Sequence, residues 1–280
     1  MNVRGVRLLA PSQAGREPLL PAAQRQLRSI YRYAYLVRHL IRSALAKQST
    51  GTIFGALWWL ADPLVLMAVY VFFVGVILKA GIKDFALFVL VGVILWKHVS
   101  SGIQAAIQGT MAREYAMRQV AFPRGAVPLA AVLAETVHLF IGFGIFVVVG
   151  AVFGVYPTLV FPLVFVLVAI QVALVLGLAF ALSALNIYFR DVQNLTEYSL
   201  RVGMFLSPVL YKTSMVPSGF QQWFKLNPFT TLIPDFRDVL LYGTMPSWPA
   251  VAAVAVFAGF VLVTGFLVFV HLEPSFAKVN

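Results

Sequence analysis

The chain has 280 residues; 61% are hydrophobic, 11% are charged, and the mean hydropathy is +0.89. A soluble domain is about 45–50% apolar and about 25% charged, so the excess apolar surface has to face lipid, which excludes a soluble enzyme, a disordered chain and a secreted disulfide scaffold. The net charge of +11 would suggest nucleic acid in a soluble protein; in a membrane chain it reads as an orientation signal and an affinity for anionic lipids, with no nucleic-acid partner.

Residues 1–23 mix Arg, Gly, Pro and Ser and read as a flexible cytoplasmic tail. No cleavable signal peptide is expected, because the first apolar run begins near residue 60. Over 24–47 the pattern changes. Leu27, Ile30, Tyr31, Ala34, Leu36, Leu40, Ile41 and Leu45 recur near helical spacing, with Arg25, Arg28, Arg32, Arg38, Arg42 and Lys47 among them. This predicts a basic amphipathic helix at the headgroup level, the alternative being an ordinary solvated helix.

Six apolar runs of spanning length follow: Leu57–Leu78, Phe85–Ile107, Val127–Phe153, Leu159–Leu185, Leu195–Tyr211 and Val251–His271. The fifth is the weakest, because it contains Glu197 and Arg201. The expected fold is an all-α integral membrane domain with six transmembrane helices. Basic residues set its orientation: fourteen of the Lys and Arg fall on the face holding both termini and five on the other, which puts both termini in the cytoplasm. The stretch from Lys212 to Pro249 carries Pro217, Pro228, Pro234 and Pro246, with Trp223 and Phe224 between them. It predicts short re-entrant helices at the outer interface. No internal repeat is visible.

Catalytic machinery is sparse. No Gly-x-x-x-x-Gly-Lys-Ser/Thr run is present, so ATP is not bound by that route. Cysteine is absent, and the four histidines are scattered, which argues against a metal site. Glu135 and His138 share one face of span three, as a proton relay or a self-satisfying pair. Glu197 and Arg201 stand in the favourable order for a local ion pair. Lys97 lies about 12 residues, or about 18 Å, into span two and has to snorkel, pair or face a polar cavity. In span one, Trp59, Asp62, Leu66, Tyr70, Phe73 and Ile77 fall on one helical face. Two readings stand for that stripe: the lining of a conduit, where sugars stack on aromatic rings, or lipid-facing and packed side chains.

Several motifs then take on a common meaning. The run from Lys47 through Gly55, Trp58 and Pro63 resembles the lead-in to span one of the ABC-2 type permeases, the membrane subunits that export O-antigen, capsule or teichoic-acid polysaccharides. Phe122-Pro123-Arg124 with Val127-Pro128, Asn186 to Val192, Ser207 to Tyr211, Leu226 to Phe229 with Phe236-Arg237, and Glu273 with Phe276 match further segments of that family in order. The matches begin near residue 45, and 48–280 is identified as an ABC-2 type transmembrane domain. The Thr50-Gly51 stretch and the long tail before Gln24 depart from the pattern.

The resemblance implies a homodimer of this chain working with two copies of an ABC ATPase subunit. ATP and Mg would belong to that partner, and this chain would hold no cofactor and perform no catalysis. The cargo would be a polyprenyl-linked polysaccharide, moved across the bacterial inner (cytoplasmic) membrane amid membrane lipids. Trp59, Asp62, Leu66, Tyr70 and Phe73 on span one, with Tyr198 and Phe205 on span five, would line the substrate channel. Arg113, Glu114, Tyr115 and Arg118 would sit on a coupling helix against the ATPase. Arg190, Asp191 and Asn227 would serve as gate residues. Two rivals are an ABC-2 exporter of drugs or small lipids and a proton-coupled secondary transporter using Glu135 and His138. A membrane enzyme would need clustered carboxylates, and Asp235 with Asp238 is the only close pair.

Overall fold

The computed structural model describes residues 18–49, 55, 57–77, 79, 81–113 and 123–273, and every regular element among them is helical. Helix α1 (Leu19–Arg32) and α2 (Ala34–Ser49) come first. Then come α3 (Leu57–Tyr70), which widens into π-helical turns over Val71–Ile77, α4 (Phe85–Ala112), α5 (Ala126–Val152) and α6 (Leu163–Tyr188). Helix α7 (Asp191–Phe205), the short α8 (Ser218–Phe224), α9 (Phe229–Arg237, continued by Asp238–Tyr242) and α10 (Trp248–Leu272) complete the order.

Five helices are long and apolar enough to cross a bilayer: Leu57–Ile77, Phe85–Ala112, Ala126–Val152, Leu163–Tyr188 and Trp248–Leu272. The run expected as span five differs. Its helix, α7, has 15 residues, about 22 Å at the helical rise against a hydrocarbon core of about 30 Å. It starts early, at Asp191, and ends at Phe205 instead of Tyr211, because Pro208 offers no N–H and disfavours helical geometry at Ser207 before it. The amphipathic segment also differs. It begins at Leu19 rather than Gln24 and is broken at Tyr33 into two helices.

The bundle is built around α4, which is buried over most of its length, with Leu87, Leu90, Leu95, Ile103 and Ile107 fully enclosed. It packs against α3, α5, α6, α7 and α9. Helices α6 and α10 approach most closely. A Cβ on Gly265 would lie 2.0 Å from the Gly177 carbonyl oxygen, and one on Gly177 would lie 2.4 Å from that of Val261. Small residues thus let two backbones touch, the usual basis of helix association in lipid. Helix α2 seats Val37 on Ala126 and Ala130 of α5, and α1 rests on α10. Leu27, Tyr31 and Tyr35 stay exposed beside the arginines of these two helices.

Candidate functional site

A polar cavity separates α3 from α4 and α5, in a region where apolar side chains would be the default. Lys97 of α4 reaches Asp62 of α3 in an ion pair, which accounts for a lysine at this depth. His138 of α5 lies 3.1 Å from the Glu135 carboxylate one turn earlier, through Nδ1, and its ring sits 4.5 Å from the indole of Trp59. Glu135 and His138 therefore form the local pair that their spacing allows.

His98 belongs to a separate network. The Gln171 amide, itself donating to the Leu95 carbonyl at 3.1 Å, lies 3.1 Å from His98 Nδ1. A donor there makes Nδ1 the acceptor and leaves the proton on Nε2, which lies 3.2 Å from Thr136 Oγ1. Thr136 in turn donates its hydroxyl to Val132 O at 2.8 Å. The chain of donors closes on itself, so His98 is a satisfied core histidine.

The predicted aromatic stripe divides between two surfaces. Trp59 and Tyr70 turn toward the bundle, and the Tyr70 hydroxyl lies 3.8 Å from Met204 Sδ on α7. Leu66 and Phe73 face outward. On α7, Tyr198 and Phe205 are also exposed. Arg201 pairs with Glu197 and sits over the Tyr198 ring at 5.7 Å. Only 6% of the α3 span is buried within this chain, so aromatic and polar faces of α3 and α7 remain uncovered.

The other predicted residues lie elsewhere. Arg113 ends α4 and donates to Gly109 O at 3.4 Å; Glu114, Tyr115 and Arg118 lie outside the described residues. Arg190 and Asp191 are exposed at the start of α7, and no ion pair joins them among the described residues. Asp191 there complements the helix dipole. Asn227 caps α9, accepting from Phe229 N at 3.0 Å, while its amide donates to Leu206 O at 3.2 Å and Ser207 Oγ at 2.9 Å. Asp235 is buried and accepts from Ser247 N at 3.0 Å through Oδ1 at the start of α10, while its Oδ2 has no hydrogen-bond partner among the described residues; burial raises its carboxyl above the usual range, with the Ser247 bond pulling the other way. No group of three His, Asp or Glu able to hold a metal occurs among the described residues.

The comparisons with known proteins fit this architecture. The ABC-2 type transporter family matches residues 22–241. The chain belongs to that family. Two O-antigen export system permease proteins RfbA of Klebsiella pneumoniae are 26% and 25% identical to it, over 82% and 90% of this chain and 88% and 99% of their own lengths. The corresponding RfbA of Myxococcus xanthus is 27% identical over 91% of this chain and 98% of its own. These relatives are permease subunits of exporters rather than enzymes, and this ABC-2 family member is likewise a multi-pass membrane protein.

Three anchors of this ABC-2 fold escaped the sequence-based site assignment. Arg237 is 2% exposed and donates to the carbonyls of Phe88 (3.0 Å), Pro208 (2.6 Å) and Val209 (2.7 Å), with its guanidinium over the Phe88 ring. It joins α9 and the break after α7 to α4. Asn186 accepts from Gln193 N at 2.8 Å and fixes the α6–α7 corner. Glu273 ends α10 beside α1 and the start of α5. Arg124 donates to its carbonyl at 2.6 Å and Gln26 to its carboxyl at 3.5 Å. Burial pushes that carboxyl up, against the pull of Arg124, Arg25 and Gln26.

Proposed function

We propose that this chain is the membrane-spanning subunit of an ATP-driven exporter that moves a lipid-linked polysaccharide from the cytoplasm across the bacterial inner membrane. The observation that carries the reading is the near full-length match to three O-antigen export permeases. The uncovered aromatic faces of α3 and α7 support it, because an uncharged glycan is held by ring stacking and hydrogen bonds rather than by charge.

Two copies pair, bringing α3 and α7 of each to a shared path lined by Asp62, Leu66, Phe73, Tyr198 and Phe205, with Trp59 and Tyr70 turned toward the bundle behind it. Helix α7 with the turn through Tyr211 makes a fifth crossing, for six in all. Helices α8 and α9 re-enter from the outer side, and both termini are cytoplasmic. Residues 24–47 lie at the headgroups. Arg113 leads into the coupling segment with Glu114, Tyr115 and Arg118, which seats in each of two ATPase subunits. ATP and Mg are bound there. Arg190 and Asp191 brace the cytoplasmic gate, and Asn227 braces the outer one.

The test has two parts. The purified chain is assayed for ATP hydrolysis alone and after co-expression with an ABC ATPase subunit from the same organism; hydrolysis by a stable complex, and none by the chain alone, is expected. A strain deleted for the chain is then examined for long polymer trapped inside. Absence of trapped polymer, with a small lipid or drug retained instead, overturns the polysaccharide reading. Transport that follows a pH gradient without ATP overturns the whole assignment.

A further inference from the structure

The cavity between α3, α4 and α5 has a volume of about 540 Å³, in the range of small-molecule sites. It runs along α4 from Ile94 to Gln108, about 20 Å at the helical rise. Its ionisable side chains are engaged with one another, Lys97 with Asp62 and the Glu135 carboxylate with His138 Nδ1. Trp59 Nε1 and His138 Nε2 are buried without a hydrogen-bond partner among the described residues. With Nδ1–H directed at the Glu135 carboxylate, His138 Nε2 is left as an acceptor, and the indole N–H is a donor. The amides of Gln104 and Gln108 line the same space and make no hydrogen bond to another described residue. The indole of Trp58 adds a second aromatic wall.

This set of groups selects a ligand class. An anion finds no uncommitted cation, and a cation finds no uncommitted carboxylate. An apolar molecule would leave the indole N–H and the imidazole nitrogen unpaired. A sugar ring satisfies all of them: its hydroxyls both donate and accept, and its CH face lies on an indole. We propose that the cavity is a carbohydrate subsite that holds one or two sugar units of the cargo behind α3. The proposal rests on the polysaccharide reading above and adds an intramembrane site within each copy. The Asp62–Lys97 ion pair and the Trp59–His138 contact tie α3 to α4 and α5 along one wall of the cavity.

The test is saturation-transfer NMR on the full chain in lipid nanodiscs. The probes are the methyl glycosides of galactose, mannose and rhamnose, with inorganic pyrophosphate as the anionic control. At least one glycoside binds, and the double variant Gln104→Ala/Gln108→Ala weakens it about tenfold, as two lost hydrogen bonds imply. Trp59→Phe, which keeps a ring and deletes the N–H, weakens it less. Because neither glutamine is hydrogen-bonded to another described residue, the double variant should assemble normally. Binding of pyrophosphate in place of glycoside, binding untouched by all these variants, or a cavity that binds only water overturns the proposal. Binding is read without export, so the two readings fail separately. A deletion strain that traps no polymer refutes the exporter, whereas glycosides that do not bind, in a strain that does trap polymer, refute only the subsite.

Discussion

Arg237 is the residue whose removal should cost this protein most. It is a buried cation with no carboxylate paired to it among the described residues; three main-chain carbonyls and the Phe88 ring answer its charge. Hydrogen bonds from charged donors contribute about 1.5–3 kcal/mol each, so three give roughly 5–9 kcal/mol. Burying the guanidinium offsets several kcal/mol of that. Arg237→Ala should therefore destabilise by about 3–5 kcal/mol and lower the apparent Tm by about 10 °C. Arg237→Lys should fall nearly as far, because an ammonium cannot reproduce the planar fork that reaches Pro208 and Val209 together. Gly92 supplies the internal check. A Cβ there would stand 2.7 Å from the Arg237 guanidinium and 2.7 Å from the Val209 carbonyl, so Gly92→Ala disturbs the same cluster. The two changes should be strongly non-additive. Thermal unfolding in detergent, followed by size-exclusion chromatography, reads the parent and the four variants. An Arg237→Ala variant that melts with the parent, or full additivity with Gly92→Ala, would refute the reasoning.

Other expectations follow from the same geometry. Gly265→Val should prevent α6 and α10 from closing, at about 3 kcal/mol or more, because the new Cβ meets backbone rather than a flexible side chain; a monodisperse, fully stable variant would contradict it. Tyr70→Ala with Phe73→Ala should lower polymer export without loss of assembly, measured as surface polymer at matched protein level. Reversing charge at Arg113 and Arg118 should reduce recovery of the ATPase in pull-downs and uncouple hydrolysis from transport. The Glu273 carboxyl is raised in the folded state, so its contribution to stability is present below the ordinary carboxylate pKa and is lost as pH rises through the folded value. Melting temperature should therefore decline from acid towards neutral pH, and Glu273→Gln should flatten that decline.

The sequence makes the long apolar elements plain, because a bilayer demands unbroken runs of about 20 residues and leaves few other readings. The ends and breaks are harder. The stop at Phe205 depends on Pro208, which reads equally well as a tolerated kink. The break at Tyr33 has no local signature, since Tyr33 is neither Gly nor Pro. The paired spacings were legible: Glu135 with His138 and Glu197 with Arg201 each meet as helical periodicity requires. Partners on different helices were not. Lys97 with Asp62, His98 with Gln171 and Thr136, and Arg237 with Phe88, Pro208 and Val209 depend on packing that no single helix encodes. The buried Arg237 had one available signal, since an arginine among Phe236, Val239 and Leu240 sits in a stretch too apolar for a solvated loop.

The polar groups also divide the bundle mechanically. Within the α4–α5–α6 core, His98, Thr136 and Gln171 close their hydrogen bonds on one another and on backbone, which fixes three helices in one arrangement. Helix α3 is joined differently. It buries 6% of its span, and its polar ties are an exposed ion pair at Asp62 and a weak hydroxyl–thioether contact at Tyr70. Exposed ion pairs contribute about 0–1 kcal/mol in water, and a pair facing a polar path would sit nearer that regime than the hydrocarbon one. The helix that carries the aromatic stripe is thus the least buried within its own chain of the five long apolar helices. Motion of α3 against the α4–α5–α6 body breaks few buried contacts, and it is the one that would widen the cavity at Trp59 and Lys97.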